Sequence, residues 1–252
     1  MNFLKKCICV VMTLAMASSV ALTSYAATPA ANTTSTSAST TAKTTAPTKV
    51  TLNKTSATLV VGKTLTLKAT LTPAKATTKL TWSSSDTKVA TVDKNGKVKA
   101  VKKGTATITV KTSNNKKATC KITVITQNEA FENEVIKLVN AERTKRGLSK
   151  LSTNSKMAAA SDKRAKEIST KFSHTRPNGK SCFTVFAEYG IKTGYAGENI
   201  AYNYSSAAKD VVNMWMNSKG HKDNILSSKY KTIGVGLYVK DGRYYWVQLF
   251  NS

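Results

Sequence analysis

The sequence predicts two domains of different class: an all-β sandwich, followed by a layered domain with helices around a mostly antiparallel sheet. Three observations predict it. From Val50 to Val124 the apolar period is two, with turn residues between short runs. After residue 126 the period lengthens to that of a helix. The chain then closes on a pair of alternating runs joined by Asp241-Gly242, a hairpin signal. At 252 residues, each of two domains can bury its own core.

Taken in order, the chain opens on a short basic lead, Met1 to Lys6, and the apolar run "CICVVMTLAM". That run has the length of a signal-peptide core and is too short to span a bilayer. Ser24 and Ala26 supply the small residues before a cleavage point. Residues 1–26 are therefore expected to be a secretory signal peptide, and the mature chain to be exported. Residues 27–48 hold twelve Ser or Thr and no large apolar residue. Such a segment cannot bury enough surface to offset its ordering entropy, so a disordered tether is expected.

Residues 49–125 make the first domain. Within it "TLTLKATL" alternates Leu65, Leu67, Ala69 and Leu71, "TATITV" alternates Ala106, Ile108 and Val110, and "TCKITV" alternates Cys120, Ile122 and Val124. Val61-Gly62, Pro73, Ser84-Ser85-Asp86, Asn95-Gly96 and Gly104 punctuate the runs. Trp82 is expected to be a core aromatic. Cys120 falls on the buried face of the last strand, so no bridge to Cys182 in the next domain is expected, because bridged Cα atoms must approach within about 7 Å.

The second domain, residues 129–252, begins with "NEAFENEVIKLVNAERTKRG", which puts Phe131, Val135, Leu138 and Val139 on one helix face, with Gly147 as the stop. "NSKMAAASDKRAKEISTKF" repeats the pattern with Met157, Ala160, Ala165, Ile168 and Phe172. A further helix is expected from a Ser205 or Ser206 cap through Ser218, with Val211 and Trp215 inward and Gly220 as terminator. Cys182 is expected to be a packed thiol at the start of a short helix. "TIGVGLYV" and "RYYWVQLF" form the closing hairpin.

The formal net charge is +26, from 39 basic and 13 acidic residues, and it is unevenly spread. Residues 27–126 carry seventeen lysines against two aspartates; residues 127–252 carry twenty basic groups against eleven acids. No nucleic-acid partner is expected, because the lysines are scattered through Thr-rich strands without a groove-reading helix or a set of stacking aromatics. Anionic cell-wall polymer or a membrane surface is the expected counter-charge; the plain alternative is a solubilising face.

Both of the chain's histidines fall in the second domain, His174 in "FSHTRPNG" and His221 in "GHKDNIL", with Glu198 in the Gly-Glu-Asn turn of "GENIA". Each lies beside a glycine or turn, where side chains end at a surface or cleft. Two neutral imidazoles with a carboxylate or water can hold a transition metal, and the same trio can act as a general base with its orienting acid. In the structural alternative, His221 satisfies carbonyls at a helix end and Glu198 accepts N–H groups of its own turn. The spacing does not choose among these, since no His-Glu-x-x-His helix is present.

The W-S-S-S-D, V-A-T-V-D and G-x-A-x-I-T-V pieces of the first domain resemble a bacterial immunoglobulin-like domain of group 2. That resemblance implies a surface-display or adhesion spacer. "LVNAERTKRGLSKL", "FSHTRPNGKSCFTVF", "GENIA", "VVNMWMNSKGHKDNIL" and "YYWVQLF" resemble a bacterial member of the CAP superfamily of SCP-like extracellular proteins. This second resemblance implies an α-β-α sandwich whose cleft is lined by two histidines and two acids. His174, Glu198 and His221 match three of those positions, and Ser218 stands at the fourth. The cleft is accordingly expected to bind a partner, a small amphiphile or a peptide. His174 and His221 are expected to hold zinc weakly, not as a structural ion. Two alternatives compete: a metal- or His/Glu-dependent hydrolase of peptide or wall polymer, and an adhesion protein with a vestigial cleft.

Overall fold

The computed structural model describes residues 45–252; the expected signal peptide and most of the expected tether lie outside them. The first domain consists of β1 (Lys49–Leu52), β2 (Ser56–Val60), β3 (Thr64–Thr66), β4 (Ala69–Thr72), β5 (Leu80–Ser84), β6 (Ala90–Val92), β7 (Lys97–Ala100), β8 (Gly104–Thr112) and β9 (Lys117–Ile125). A sheet ordered β2-β9-β8-β5 faces a sheet ordered β3-β7-β6, while β1 pairs with β4. Between them lie Ala106, Ile108, Cys120, Ile122 and Val124 from the first sheet and Ala90, Val98 and Ala100 from the second. Period two is the cause, since alternate side chains of each strand must leave water together. Trp82 packs against this core. Its ring lies over Gly96, whose left-handed φ of 77° and lack of a Cβ permit the approach.

The run "TLTLKATL" is not one strand. Leu67 N–H donates to the Gly96 carbonyl, and Lys68 N–H goes to Asn53 Oδ1. The chain thus leaves β7, the partner of β3, and joins β1, the partner of β4. Alternation survives the switch because Leu67 stays buried while Lys68 stays exposed.

One residue joins the domains. β9 ends at Ile125, and Thr126 is the N-cap of α1 (Gln127–Thr144). Thr126 Oγ1 accepts the Glu129 N–H at 3.1 Å, and Glu129 Oε2 accepts the Thr126 N–H at 2.8 Å, a reciprocal capping box. The same carboxylate meets Lys103 of the first domain at 2.5 Å.

The second domain continues with α2 (Ser155–Ile168), α3 (Thr184–Glu188), β10 (Ala196–Asn203), α4 (Ala208–Met216), α5 (Lys219–Leu226), β11 (Thr232–Lys240) and β12 (Arg243–Asn251). Its sheet is antiparallel, ordered β10-β12-β11. Asp241 and Gly242 make the hairpin turn with φ of 51° and 71°. Alternation along β12 builds two cores. Trp246 and Phe250 pack with α1, α4 and α5, and Tyr245, Val247 and Leu249 pack with α2 and α3. The result is an α-β-α sandwich.

Two glycines set how closely α2 approaches. β11 shows Ile233, Val235 and Leu237 to the α1 side and Gly234 and Gly236 to α2. A Cβ at Gly234 would run into the Met157 carbonyl, and one at Gly236 into the Ser161 carbonyl. The helix backbone therefore lies directly on the strand, which fixes the height of every α2 side chain above the sheet.

Three helical expectations are corrected. The helix through Ser218 ends at Met216, and a separate helix starts at Lys219. Ser218 is extended (φ −106°, ψ 121°) and forms the break, while Gly220 has no left-handed φ and continues α5. Neither serine caps α4: Ala207 is its N-cap, and Ser205 bonds Asp210 instead. Phe172, expected inward on α2, lies beyond the helix end and is exposed.

Glu132 on α1 is buried and accepts the Leu237 N–H at 3.0 Å. Burial, then the charge of nearby Asp162, pushes its carboxyl from an ordinary 4.5 to about 8. The folded value lies above the unfolded one, so this group's contribution to stability is whole below pH 4.5 and is lost as pH rises through about 8. Urea midpoints should therefore fall between mildly acid and alkaline pH, and fall less in Glu132→Gln. Identical pH profiles for the two chains would show that this carboxyl titrates normally.

Candidate functional site

His174 stands on the loop between α2 and α3, which is pinned from within. Arg176, 2% exposed, donates from Nη2 to Glu167 on α2 and from Nη1 to Glu188 on α3, both at 2.7 Å. The Cys182 N–H donates to the His174 carbonyl at 2.9 Å, closing the loop beneath the imidazole.

Glu198 is not in a turn; it lies within β10, opposite Leu249 of β12. Its carboxylate is almost wholly buried, and Arg164 on α2 is fully buried. Arg164 Nε donates to Glu198 Oε2 at 2.8 Å, and Nη2 donates to Oε1 at 3.2 Å. The guanidinium is completed by Glu167 at 2.7 Å and the Ser173 carbonyl at 3.0 Å. Glu198 Oε1 also meets His174 Nδ1 at 2.8 Å. A carboxylate offers only acceptors, so Nδ1 carries the hydrogen and Nε2 is left free. The bond to Glu198 is the main reason that His174 keeps its proton above the ordinary 6.5.

His221 does not cap a helix end, because it sits in the first turn of α5. Burial, then the charge on His174, pushes its imidazole below 6.5, so it is neutral at pH 7. The helix under it is held at both ends. Asn199 Nδ2 donates to the His221 carbonyl at 3.0 Å, and buried Arg143 donates to the carbonyls of Ile225 and Ser227 at 2.7 and 2.8 Å.

The expected residues line two neighbouring depressions. His174, Glu198, Cys182 and Asn224 line a depression of about 470 Å³, and His221, Ser218 and Trp215 line another of about 450 Å³. Glu198 and Ile200 turn toward α2, and Asn199 and Ala201 turn toward α4 and α5. Both depressions have β10 as a wall.

Among the described residues, the donors that crowd together are His174, Cys182 and Glu198, with ligand atoms within 4.8 Å of one another. Their chemistry does not suit a metal ion. Both Glu198 oxygens are engaged, and burial, then the Glu198 charge, pushes the Cys182 thiol up to about 12. Cys182 and Cys120 are both free and buried in separate domains. The nitrogens open to a ligand are His174 Nε2 and the neutral His221 ring.

Residues 136–250 match the cysteine-rich secretory protein family, CAP, and residues 46–122 match the bacterial Ig-like domain of group 2. The chain carries a CAP domain behind an Ig-like one. It is 38% identical over 123 residues to the uncharacterised protein YkwD of Bacillus subtilis, covering 48% of this chain and 47% of that one. A solved extracellular protein containing an SCP domain, from Bacillus anthracis, is 25% identical with a TM-score of 0.45, over 49% of this chain and 41% of that chain. An outer surface protein of Borrelia burgdorferi is 20% identical with a TM-score of 0.46, over 50% of this chain and 94% of that chain. The chain thus spans about half the length of YkwD and less of other curated relatives that it matches. Among the described residues no helix is long and apolar enough to cross a membrane.

Sequence reasoning missed the arginines that hold the CAP site. Arg164 offered a signal, because it falls in the inward stripe of α2 with Met157, Ala160 and Ile168. A cation at such a position must find a buried acid. The dependence of His174 on Glu198 is open to titration by proton NMR. In Glu198→Gln the negative partner is gone, so the His174 ring should lose its proton at lower pH than in the natural chain. An unchanged midpoint would mean that the hydrogen bond to Glu198 does not govern the imidazole.

Proposed function

We propose that this chain is an exported, wall-associated binding protein whose CAP domain is displayed on the Ig-like spacer and holds a partner, a small amphiphile or a peptide beside His174, Glu198 and His221. One observation carries the binding reading over a catalytic one. The Glu198 carboxylate is committed to Arg164 and His174, and the adjacent Cys182 is held as a thiol, which leaves an oriented imidazole without a thiolate nucleophile. The His174–Glu198 pair also favours the second reading, a metal- or His/Glu-dependent hydrolase of peptide or wall polymer, since a free Nε2 oriented by a carboxylate is half of a general-base device.

Zinc fits this reading as a weak, non-structural ion held by His174 Nε2 and His221, with water in the remaining positions. Bound there, it would offer an open coordination position to a carbonyl or carboxylate of a ligand. Folding is expected to rest on the hydrophobic cores and to need no ion. Calorimetric titration with zinc should show affinity that His221→Ala largely removes. That affinity should weaken as pH falls through the raised His174 value, because a protonated imidazole cannot ligate. Equal heats for both chains would remove zinc from the proposal.

Every lysine of the Ig-like domain from Lys49 to Lys121 is exposed. Retention on purified wall should therefore be electrostatic, since the Debye length falls from about 10 Å at 0.1 M salt to about 3 Å at 1 M. Binding is expected to collapse in molar salt and to persist when residues 129–252 are deleted. Salt-independent retention would reduce the lysines to a solubilising face.

A further inference from the structure

Several of the exposed large apolar side chains of the CAP domain are gathered in one place. Phe172, Tyr202 and Met214, 47%, 43% and 45% exposed, line the depression that holds His221. Tyr204, 69% exposed, continues the row along the chain from β10. The rings are fixed rather than loose. Phe172 meets Tyr202 edge to face at 5.1 Å, and the Arg243 guanidinium lies 5.1 Å from the Tyr202 ring and 5.3 Å from that of Tyr204. Arg243 also donates to the Tyr204 hydroxyl at 2.9 Å, which holds the row in place. A clustered, ordered apolar patch left in water marks an interaction site.

The polar complement of this depression narrows the ligand. Its polar side chains are the Tyr202 hydroxyl, Ser218 and His221, and neither carboxylate nor ammonium lines it. The Ser218 side chain makes no capping bond although it occupies the N-cap of α5. Uncharged donors and acceptors therefore sit beside aromatic faces in a trough that is open to solvent. An acyl chain laid there would keep much of its methylene surface wet. A polyanion would find a single bordering cation, Arg243, already engaged with Tyr202 and Tyr204, whereas the Ig-like domain offers many. A pyranose ring complements what is present, with a C–H face for the aromatic rings and hydroxyls for the serine, the imidazole and water.

We infer that this depression seats an uncharged sugar ring of a glycan chain, with Phe172 and Tyr202, set at right angles, as its aromatic walls and Ser218 and His221 as hydrogen-bonding partners. The inference rests on the proposal that the CAP cleft is a binding site, and names the ligand class for its His221 half.

The test uses the mature full chain and an uncharged tetrasaccharide of β-1,4-linked N-acetylglucosamine, followed by calorimetry and tryptophan fluorescence. Saturable binding is expected, with affinity falling at least about tenfold in Tyr202→Ala and in Phe172→Ala. Both side chains are nearly half exposed, so thermal melts of the variants should match the natural chain. Absence of oligosaccharide binding, or binding indifferent to both substitutions, would overturn the inference. So would saturable binding of dodecanoate that Tyr202→Ala abolishes while the sugar fails to bind, since the groove would then be an amphiphile site. Zinc affinity sensitive to His221→Ala reports on the cleft separately. If that persists while the sugar fails, the glycan assignment alone is lost.

Discussion

Arg164 is taken wholly out of water on a helix that lies directly on the sheet, and its guanidinium cannot be deprotonated to escape the cost. It must be met by fixed acceptors, and Glu198 on β10 supplies two of them. Removing one member of such a buried pair typically costs about 3–5 kcal/mol, because the survivor is left as an unpaired buried charge. The pair therefore locks α2 against β10, and its remaining donors take Glu167 and the Ser173 carbonyl at the start of the His174 loop. The direction of the His174 ring follows from this. With Glu198 immobile, Nδ1 has one place to donate, and Nε2 faces outward as the open nitrogen. Gly234 and Gly236 stand behind the arrangement, since a Cβ at either would lift α2 off the strand and carry Arg164 away from its partner.

The period-two pattern that specifies the CAP sheet also divides its functional groups. Glu198 and Asn199 are adjacent in sequence and turn to opposite faces, so the first orients His174 while the second holds the helix that bears His221. Sequence motifs identified all three residues, because the family's pattern marks them directly. They could not show how the histidines are held, since that depends on the Arg164–Glu198 pair and on the start of α5 at Lys219. The break between α4 and α5 was hidden for a different reason. Gly220 reads as a helix stop, yet a glycine without a left-handed φ ends nothing, and the true break is the extended Ser218. Phe172 was misplaced because it keeps the helical spacing for one position past Ile168, after the helix itself has ended.

In the Ig-like domain the strand pattern was legible, but its pairing was not. Leu65 and Leu71 belong to one alternating run and to two different strand pairs, because the chain bends at Leu67 and Lys68. Alternation records which side chains are buried and carries no information about which neighbour closes the hydrogen bonds. The Thr126 and Glu129 spacing, by contrast, is a local signal of a helix start and could have located the domain junction to the residue.

The two histidines divide one proton unequally, and the division follows from their surroundings. Glu198 favours the charged form of His174, while burial and the charge on His174 disfavour it on His221. As pH falls, His174 therefore takes the proton first, and the depression beside Cys182 becomes the cationic one while the aromatic trough stays uncharged. Metal ligation and sugar binding, as proposed, would respond differently to acid, with His221 common to both. Zinc held as proposed would lose its His174 ligand over that range, whereas a neutral sugar ring beside Phe172 and Tyr202 would keep its contacts until His221 itself is protonated.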